Sequence, residues 1–167
     1  DQGDPAQTVK DAQAMRALFP NLTIALHWYV WNDVPNFDLL YPRYFPAKKG
    51  FKEAVAAIQG PGTNISVFPY INGRLYDQKL PTFPADKPRM TVESDGSIHT
   101  EKYGNAEPFA APCPSQSWWT SDTIPGVVRN LSQTYGVAGV YIDQIAAAPA
   151  LACYSSSHPH LPGGGDY

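Results

Sequence analysis

Two apolar, β-branched runs, residues 22–30 and 65–71, dominate what this chain can fold into. They are too continuously hydrophobic for strands with one wet face and too short for typical helices, which marks them as strands buried on both faces of a parallel sheet. The first is broken only by Thr23 and His27. Each follows a helical pattern. Asp4-Pro5 reads as an N-cap with proline at the first helical position, after which Val9, Ala12, Met15 and Leu18-Phe19 recur at helical spacing until Pro20. Phe51, Ala54-Val55 and Ile58 mark a shorter helix closed by Gly60-Pro61-Gly62. A third unit has Pro125 near a helix start, Val127-Val128, Leu131 and Tyr135 on one face, Gly136 as C-cap, and residues 137–142 as strand. Right-handed crossovers would lay the three strands in parallel, with their C-terminal ends on one rim.

Between these units the prolines take over. Pro35, Pro42 and Pro46 forbid regular structure across residues 32–49, so the first strand exits into a long loop. Residues 80–120 carry Pro81, Pro84, Pro88, Pro108, Pro112 and Pro114. Within this excursion Asp95-Gly96, flanked by residues 90–93 and 97–103, predicts a β-hairpin. The expected fold is α/β: a partial TIM (β/α)8 barrel of about three parallel strand–helix units with a Pro-rich, hairpin-containing excursion. All of residues 1–167 then form one segment of a barrel domain, since a complete barrel needs roughly 250 residues. An isolated three-stranded sheet leaves both edges unpaired, so the remainder of the barrel is expected from a parent chain or another copy.

Charge and composition narrow the partners. The formal net charge is −3 with no run of Lys or Arg, which argues against nucleic acid and against a polybasic membrane contact. No stretch approaches the roughly 18 apolar residues of a membrane span, and the first residues do not resemble a signal peptide. Asn21, Asn64 and Asn130 head Asn-x-Ser/Thr sequons, which matter only in a eukaryotic secretory pathway. No phosphate-binding glycine loop and no Gly-x-Ser-x-Gly elbow is present. Cys113 and Cys153 could form one bridge or remain buried thiols. His158-Pro159-His160 has an HxH spacing, but its Pro/Gly-rich setting suggests a loop that closes over a cleft, so neither a metal nor another cofactor is expected.

Asp143 is the residue best placed for chemistry. It follows Gly139-Val140-Tyr141-Ile142, a run expected to be buried, so its carboxylate is delivered by a strand end rather than a solvated face. Glycoside cleavage needs two carboxylates flanking the scissile bond, and strand ends hold such groups rigidly. The competing reading is an Asp that caps a helix or bonds loop backbone. Aromatic residues make up 13% of the chain, and flat rings with a polar edge suit sugars as well as cores. Trp28, Trp31 and Tyr70 are the candidates for shaping a subsite. Asn72, Arg74 and Asp77 leave the second strand together and suit vicinal hydroxyls, with Arg74 able to pair with Asp77 or to hold a carboxylate. Gln144 follows Asp143, and His27 is either a partner of substrate or Asp143, or a satisfied core histidine.

The segments Leu26-His27-Trp28-Tyr29-Val30-Trp31, Phe37-Asp38-Leu39-Leu40-Tyr41-Pro42, Pro69-Tyr70-Ile71-Asn72-Gly73-Arg74, Ala111-Pro112-Cys113-Pro114 and Gly139-Val140-Tyr141-Ile142-Asp143-Gln144 resemble a family of uncharacterised glycoside-hydrolase-like barrel proteins. That family is similar in outline to the endo-α-N-acetylgalactosaminidases and their relatives. The resemblance implies a glycosidase, retaining in mechanism, that acts on an oligosaccharide or glycan with Asp143 as nucleophile. It also implies a general acid, a Glu on the following strand, beyond residue 167, so that the isolated segment is inactive. Asp38, Asp77, Glu101 and Glu107 are the substitutes available within the chain. The alternatives are a carbohydrate-binding or scaffold segment without chemistry, and a metal-dependent hydrolase built on the histidines.

Overall fold

A computed structural model describes residues 3–35, 38–103 and 108–165. Glu107 therefore lies outside the described residues. Helix α1 (Pro5–Leu18) starts where expected: Asp4 is its N-cap and accepts the Gln7 backbone N–H at 2.7 Å, with Pro5 in the first turn. Strand β1 (Ile24–Trp28), helix α2 (Phe51–Ile58) and strand β2 (Ile65–Asn72) follow. The excursion holds β3 (Tyr76–Asp77), α3 (Phe83–Asp86), β4 (Thr100–Glu101) and β5 (Phe109–Ala110). A wide π turn (Trp118–Thr123) then leads into α4 (Ile124–Tyr135), and β6 (Tyr141–Asp143) closes the series.

The fold is mixed α/β with a three-stranded parallel sheet in the order β1-β2-β6. Ile24 stands opposite Ile65 and Trp28 opposite Pro69. Central β2 is the buried member, whereas Leu22 falls in the turn before β1 and Tyr141 and Ile142 of β6 are 45% and 38% exposed. Burial on both faces was expected of the runs at 22–30 and 65–71, and burial of residues 139–142. Among the described residues β1 and β6 each pair on one side and β2 on both.

The Asp95-Gly96 turn forms, with Gly96 at φ +84°, the Glu93 N–H donating to the Ser97 carbonyl and Val92 bridging Ile98. The flanks pair across this turn as a short hairpin, the His99 N–H also donating to the Thr91 carbonyl at 2.9 Å, and the chain beyond it joins a larger sheet. Thr100–Glu101 pairs antiparallel with Phe109–Ala110, which pairs in turn with Tyr76–Asp77, giving a second sheet ordered β3-β5-β4. A two-residue strand has too little periodicity to be visible in sequence.

The chain divides into two compact units. Unit 1 comprises residues 1–37, 44–71 and 127–142, and unit 2 comprises residues 38–43, 72–126 and 143–167. In unit 1, α1 packs beside α2, and Gln59 beyond α2 ties the sheet: its Oε1 accepts the N–H groups of Val67 and Ala138 at 2.8 and 2.9 Å. Gly139 sits against Phe68, so close that a Cβ there would lie 2.5 Å from the ring. Unit 2 has Leu75, Met90, Phe109 and Trp119 at its core, each at most 1% exposed.

Candidate active site

In unit 2, half-buried Asp143 ends β6 and its backbone carbonyl accepts the Gly73 N–H at 3.1 Å. Gly73 directly follows the last residue of β2, and its own carbonyl accepts the indole N–H of buried Trp119 at 2.8 Å. The peptide carrying Asp143 is thus fastened to a glycine that is itself held by an indole. Gln144 then turns the chain at φ +68°, and its Oε1 is buried without a hydrogen-bond partner among the described residues. A buried acceptor left unmade is costly, which makes Gln144 a candidate for a ligand hydroxyl.

Asp38 is the carboxylate that responds to Asp143. Burial pushes its carboxyl above the usual range, the hydroxyl of Tyr41 partly offsets this, and the negative charge of Asp143 raises it further. Tyr41 donates to Asp38 Oδ1 at 2.7 Å. The charge of Asp143 therefore adds to burial in favouring the protonated form of Asp38.

The other acidic and polar residues have structural duties. Asp77 accepts the Leu40 N–H through Oδ2 and the Lys79 N–H through Oδ1, both at 2.8 Å, and its own N–H donates to the Tyr41 carbonyl at 2.8 Å. It anchors the loop that carries Asp38. Asn72 Oδ1 accepts the N–H groups of Arg74 and Leu75 at 2.9 and 3.0 Å, an Asx turn that redirects the chain from β2 towards β3. Arg74, 1% exposed, pairs with Glu101 at 2.6 Å and donates to the Pro149 carbonyl at 2.6 Å. Of the two roles expected for Arg74, pairing with Asp77 or holding a carboxylate, the pairing found is with Glu101, while Asp77 accepts backbone donors. Glu101 is likewise occupied, by Arg74, Tyr103 and His99.

In unit 1, Trp28 and Trp31 are 2% and 0% exposed. Trp28 meets Phe51 edge-on, and Trp31 stacks on Tyr44 while its indole N–H donates to the Tyr70 carbonyl at 2.8 Å. Both indoles are core, so neither offers a face to a sugar. Their apolar area is better buried against helix α2 and the loop that precedes it than left wet. His27 is half-buried in an aromatic cluster with ring centroids 4.2 Å from Tyr29, 4.1 Å from Tyr141 and 6.0 Å from Tyr70. Tyr70 is buried, but Tyr29 and Tyr141 are 48% and 45% exposed. Neither tyrosine was among the expected subsite residues, and Asp38 was expected only as one of four substitute acids. Exposure at a strand end has no signature in residue type, and the Asp38–Asp143 coupling joins residues far apart in the chain.

The segment with His158 and His160, expected as a mobile cover, is a closed loop. Cys153 N–H donates to the Gly164 carbonyl and Gly163 N–H to the Cys153 carbonyl, both at 2.8 Å. His158, His160, Cys113 and Cys153 bring one ligand atom each to within 4.8 Å of one another.

Residues 2–167 match the domain family described as "Domain of unknown function (DUF6259)". The chain is 38% identical over 146 residues to a protein of Bacteroides thetaiotaomicron named "Putative glycoside hydrolase", covering 86% of this chain and 21% of that protein. It is 35% identical over 186 residues to "Putative glycoside hydrolase 22789" of Monosiga brevicollis, covering 99% of this chain and 15% of that protein. The chain thus spans about a fifth or less of these curated relatives. Among solved structures it is similar in fold to the ligand-free alpha-N-acetylgalactosaminidase NagBb of Bifidobacterium bifidum, with a TM-score of 0.71 at 17% identity, over 93% of this chain and 25% of that one.

Proposed function

From the premise that the chain belongs to the uncharacterised, glycoside-hydrolase-like DUF6259 family, we propose that it is the nucleophile-bearing segment of a retaining glycosidase acting on an oligosaccharide or glycan. Its three parallel strands are read as part of a (β/α)8 barrel, completed by other segments of a longer protein. The observation that carries the reading is Asp143: a carboxylate at a strand end, with its peptide fixed by Gly73 and its charge felt by Asp38. Strand-end carboxylates in parallel α/β folds sit where ligands bind.

In this mechanism the Asp143 carboxylate attacks the anomeric carbon while a carboxylic acid protonates the departing oxygen. The glycosyl ester so formed is hydrolysed by water, activated by the same acid in its conjugate-base form. A carboxylate beyond residue 167 supplies that proton. Asp38 is the alternative within the chain, because burial and Asp143 both favour its protonated form. Within unit 2, Gln144 Oε1 accepts a sugar hydroxyl. NagBb is named as an alpha-N-acetylgalactosaminidase, so α-linked N-acetylgalactosamine is the first substrate to try.

The test is turnover of aryl glycosides, beginning with α-N-acetylgalactosaminide, by the full-length protein carrying Asp143→Ala. Turnover should fall at least about a thousand-fold and recover in part with azide, giving the β-glycosyl azide. Wild-type turnover in the variant would remove Asp143 from the mechanism. The second reading is a sugar-binding segment without chemistry, which needs a free acceptor such as Gln144 Oε1 but no nucleophile. It predicts glycan binding without hydrolysis on any of these substrates.

A further inference from the structure

We infer that Cys113, Cys153, His158 and His160 form a binding site for one structural zinc ion within unit 2. Cys113 and Cys153 are 0% exposed and His158 is 7% exposed, so this is a built, interior cluster. Cys113 Sγ lies 3.3 Å from His160 Nε2, and Cys153 Sγ lies 3.3 Å from His158 Nδ1. A tetrahedral ion with Zn–S of about 2.3 Å and Zn–N of about 2.0 Å separates its sulfur and nitrogen ligands by about 3.5 Å. The observed spacings are those of a ligand set already converged on one point.

The outer hydrogen bonds support the same reading. His158 Nε2–H donates to the Pro88 carbonyl at 2.8 Å, and His160 Nδ1–H donates to the Leu161 carbonyl at 2.7 Å. Each bond fixes the tautomer that leaves the other ring nitrogen as a lone-pair donor aimed at the cysteines. Ligating histidines are generally held in this way, by a backbone carbonyl or a carboxylate. The Val92 N–H points at Cys153 Sγ from 3.4 Å, a contact that stabilises a thiolate. Gly165, at φ +79°, passes so close that a Cβ there would lie 2.8 Å from His160 Nε2 and 3.2 Å from Cys113 Sγ.

Two sulfurs and two imidazoles complete a tetrahedron and leave no open position, so the ion is structural and its place is separate from Asp143. Binding converts two thiols to thiolates and releases two protons, while the imidazoles stay neutral. The ion ties the loop of residues 153–164 to Cys113, just beyond β5, and through His158 to the Pro88 carbonyl. Linking distant parts of the chain lets metal affinity appear as folding stability.

The test uses the untagged full-length protein purified without chelators. Elemental analysis should find about one zinc at this site, lost in Cys113→Ser and in His158→Ala and released when the thiols are modified by a mercurial. Cobalt(II) in place of zinc should give the intense visible bands of a tetrahedral ion and a near-ultraviolet thiolate charge-transfer band. The inference is overturned if wild-type protein holds no zinc and gives no such bands with cobalt, whether Cys113 and Cys153 then alkylate freely or are joined as a disulfide. Retention of the zinc in both variants would equally overturn the ligand assignment. The wild-type measurements do not depend on the variants folding.

Discussion

The Gly73 N–H donates to the Asp143 carbonyl at 3.1 Å, and this bond fastens the residue after β2 to the last residue of β6. Asp143 is therefore not the start of a free loop. Its backbone is fixed by a partner whose carbonyl is also engaged, by Trp119. Trp119→Phe removes the indole donor while keeping most of the apolar volume, so the Gly73 carbonyl is left buried and unpaired. The expected cost is about 1–3 kcal/mol of stability, read by denaturant unfolding. Turnover should fall while KM changes little, because Trp119 positions and does not touch the sugar.

Asp38 gives a prediction with a sign. Its carboxyl is raised above the ordinary value first by burial and then by Asp143, against the lowering effect of Tyr41. The folded state therefore binds its proton more tightly than the unfolded state does. Stability from this group is fully present below the unfolded pKa, near 3.8, and is lost as pH rises through the higher folded value. Asp38→Asn should remove that decline, so the variant loses less stability than wild type as pH rises from 3.8. Thermal unfolding across that range measures it; parallel pH profiles for the two proteins would mean that Asp38 is not perturbed.

The buried Arg74–Glu101 pair predicts an asymmetric mutational result. Glu101→Ala removes the ion-pair partner of a guanidinium that is 1% exposed and should cost about 3–5 kcal/mol. Arg74→Met with Glu101→Leu removes both charges and should cost much less. Equal losses in the single and double variants, measured by urea unfolding, would contradict this account of the pair.

Gly139 tests the packing of the sheet in unit 1. Gly139→Ala puts a methyl group 2.5 Å from the Phe68 ring and should destabilise by about 1–3 kcal/mol. Phe68→Leu in the same chain should return part of that loss, since the clash involves only the ring. No coupling between the two substitutions would show that the ring moves aside freely.

How much of this was legible from residues alone depends on the range of the interaction. Asp4-Pro5 announced the start of α1, and Asp95-Gly96 its turn, because capping and turn chemistry act over two to four neighbours. The runs at 24–28 and 65–72 declared themselves by continuous hydrophobicity. The pairing of β4 with β5 did not, and neither did the choice of Glu101 over Asp77 by Arg74, since both are settled by tertiary packing. Trp28 and Trp31 show the same limit: an aromatic residue at a strand end looks alike whether it faces a ligand or the core. The cysteines and histidines were visible as residue types, but their convergence joins Cys113 to residues about 40–50 positions later, a distance at which residue spacing alone carries little information.

The central claim is that Asp143 forms the covalent bond to the sugar. Incubating the full-length protein with an activated, slowly turning over fluorinated glycoside of a sugar it cleaves, followed by peptide mass spectrometry, tests it directly. The account predicts one added glycosyl group, on the peptide containing Asp143 and absent from Asp143→Asn. A label on a different carboxylate, or efficient turnover with inverted product stereochemistry and no label at all, would contradict it.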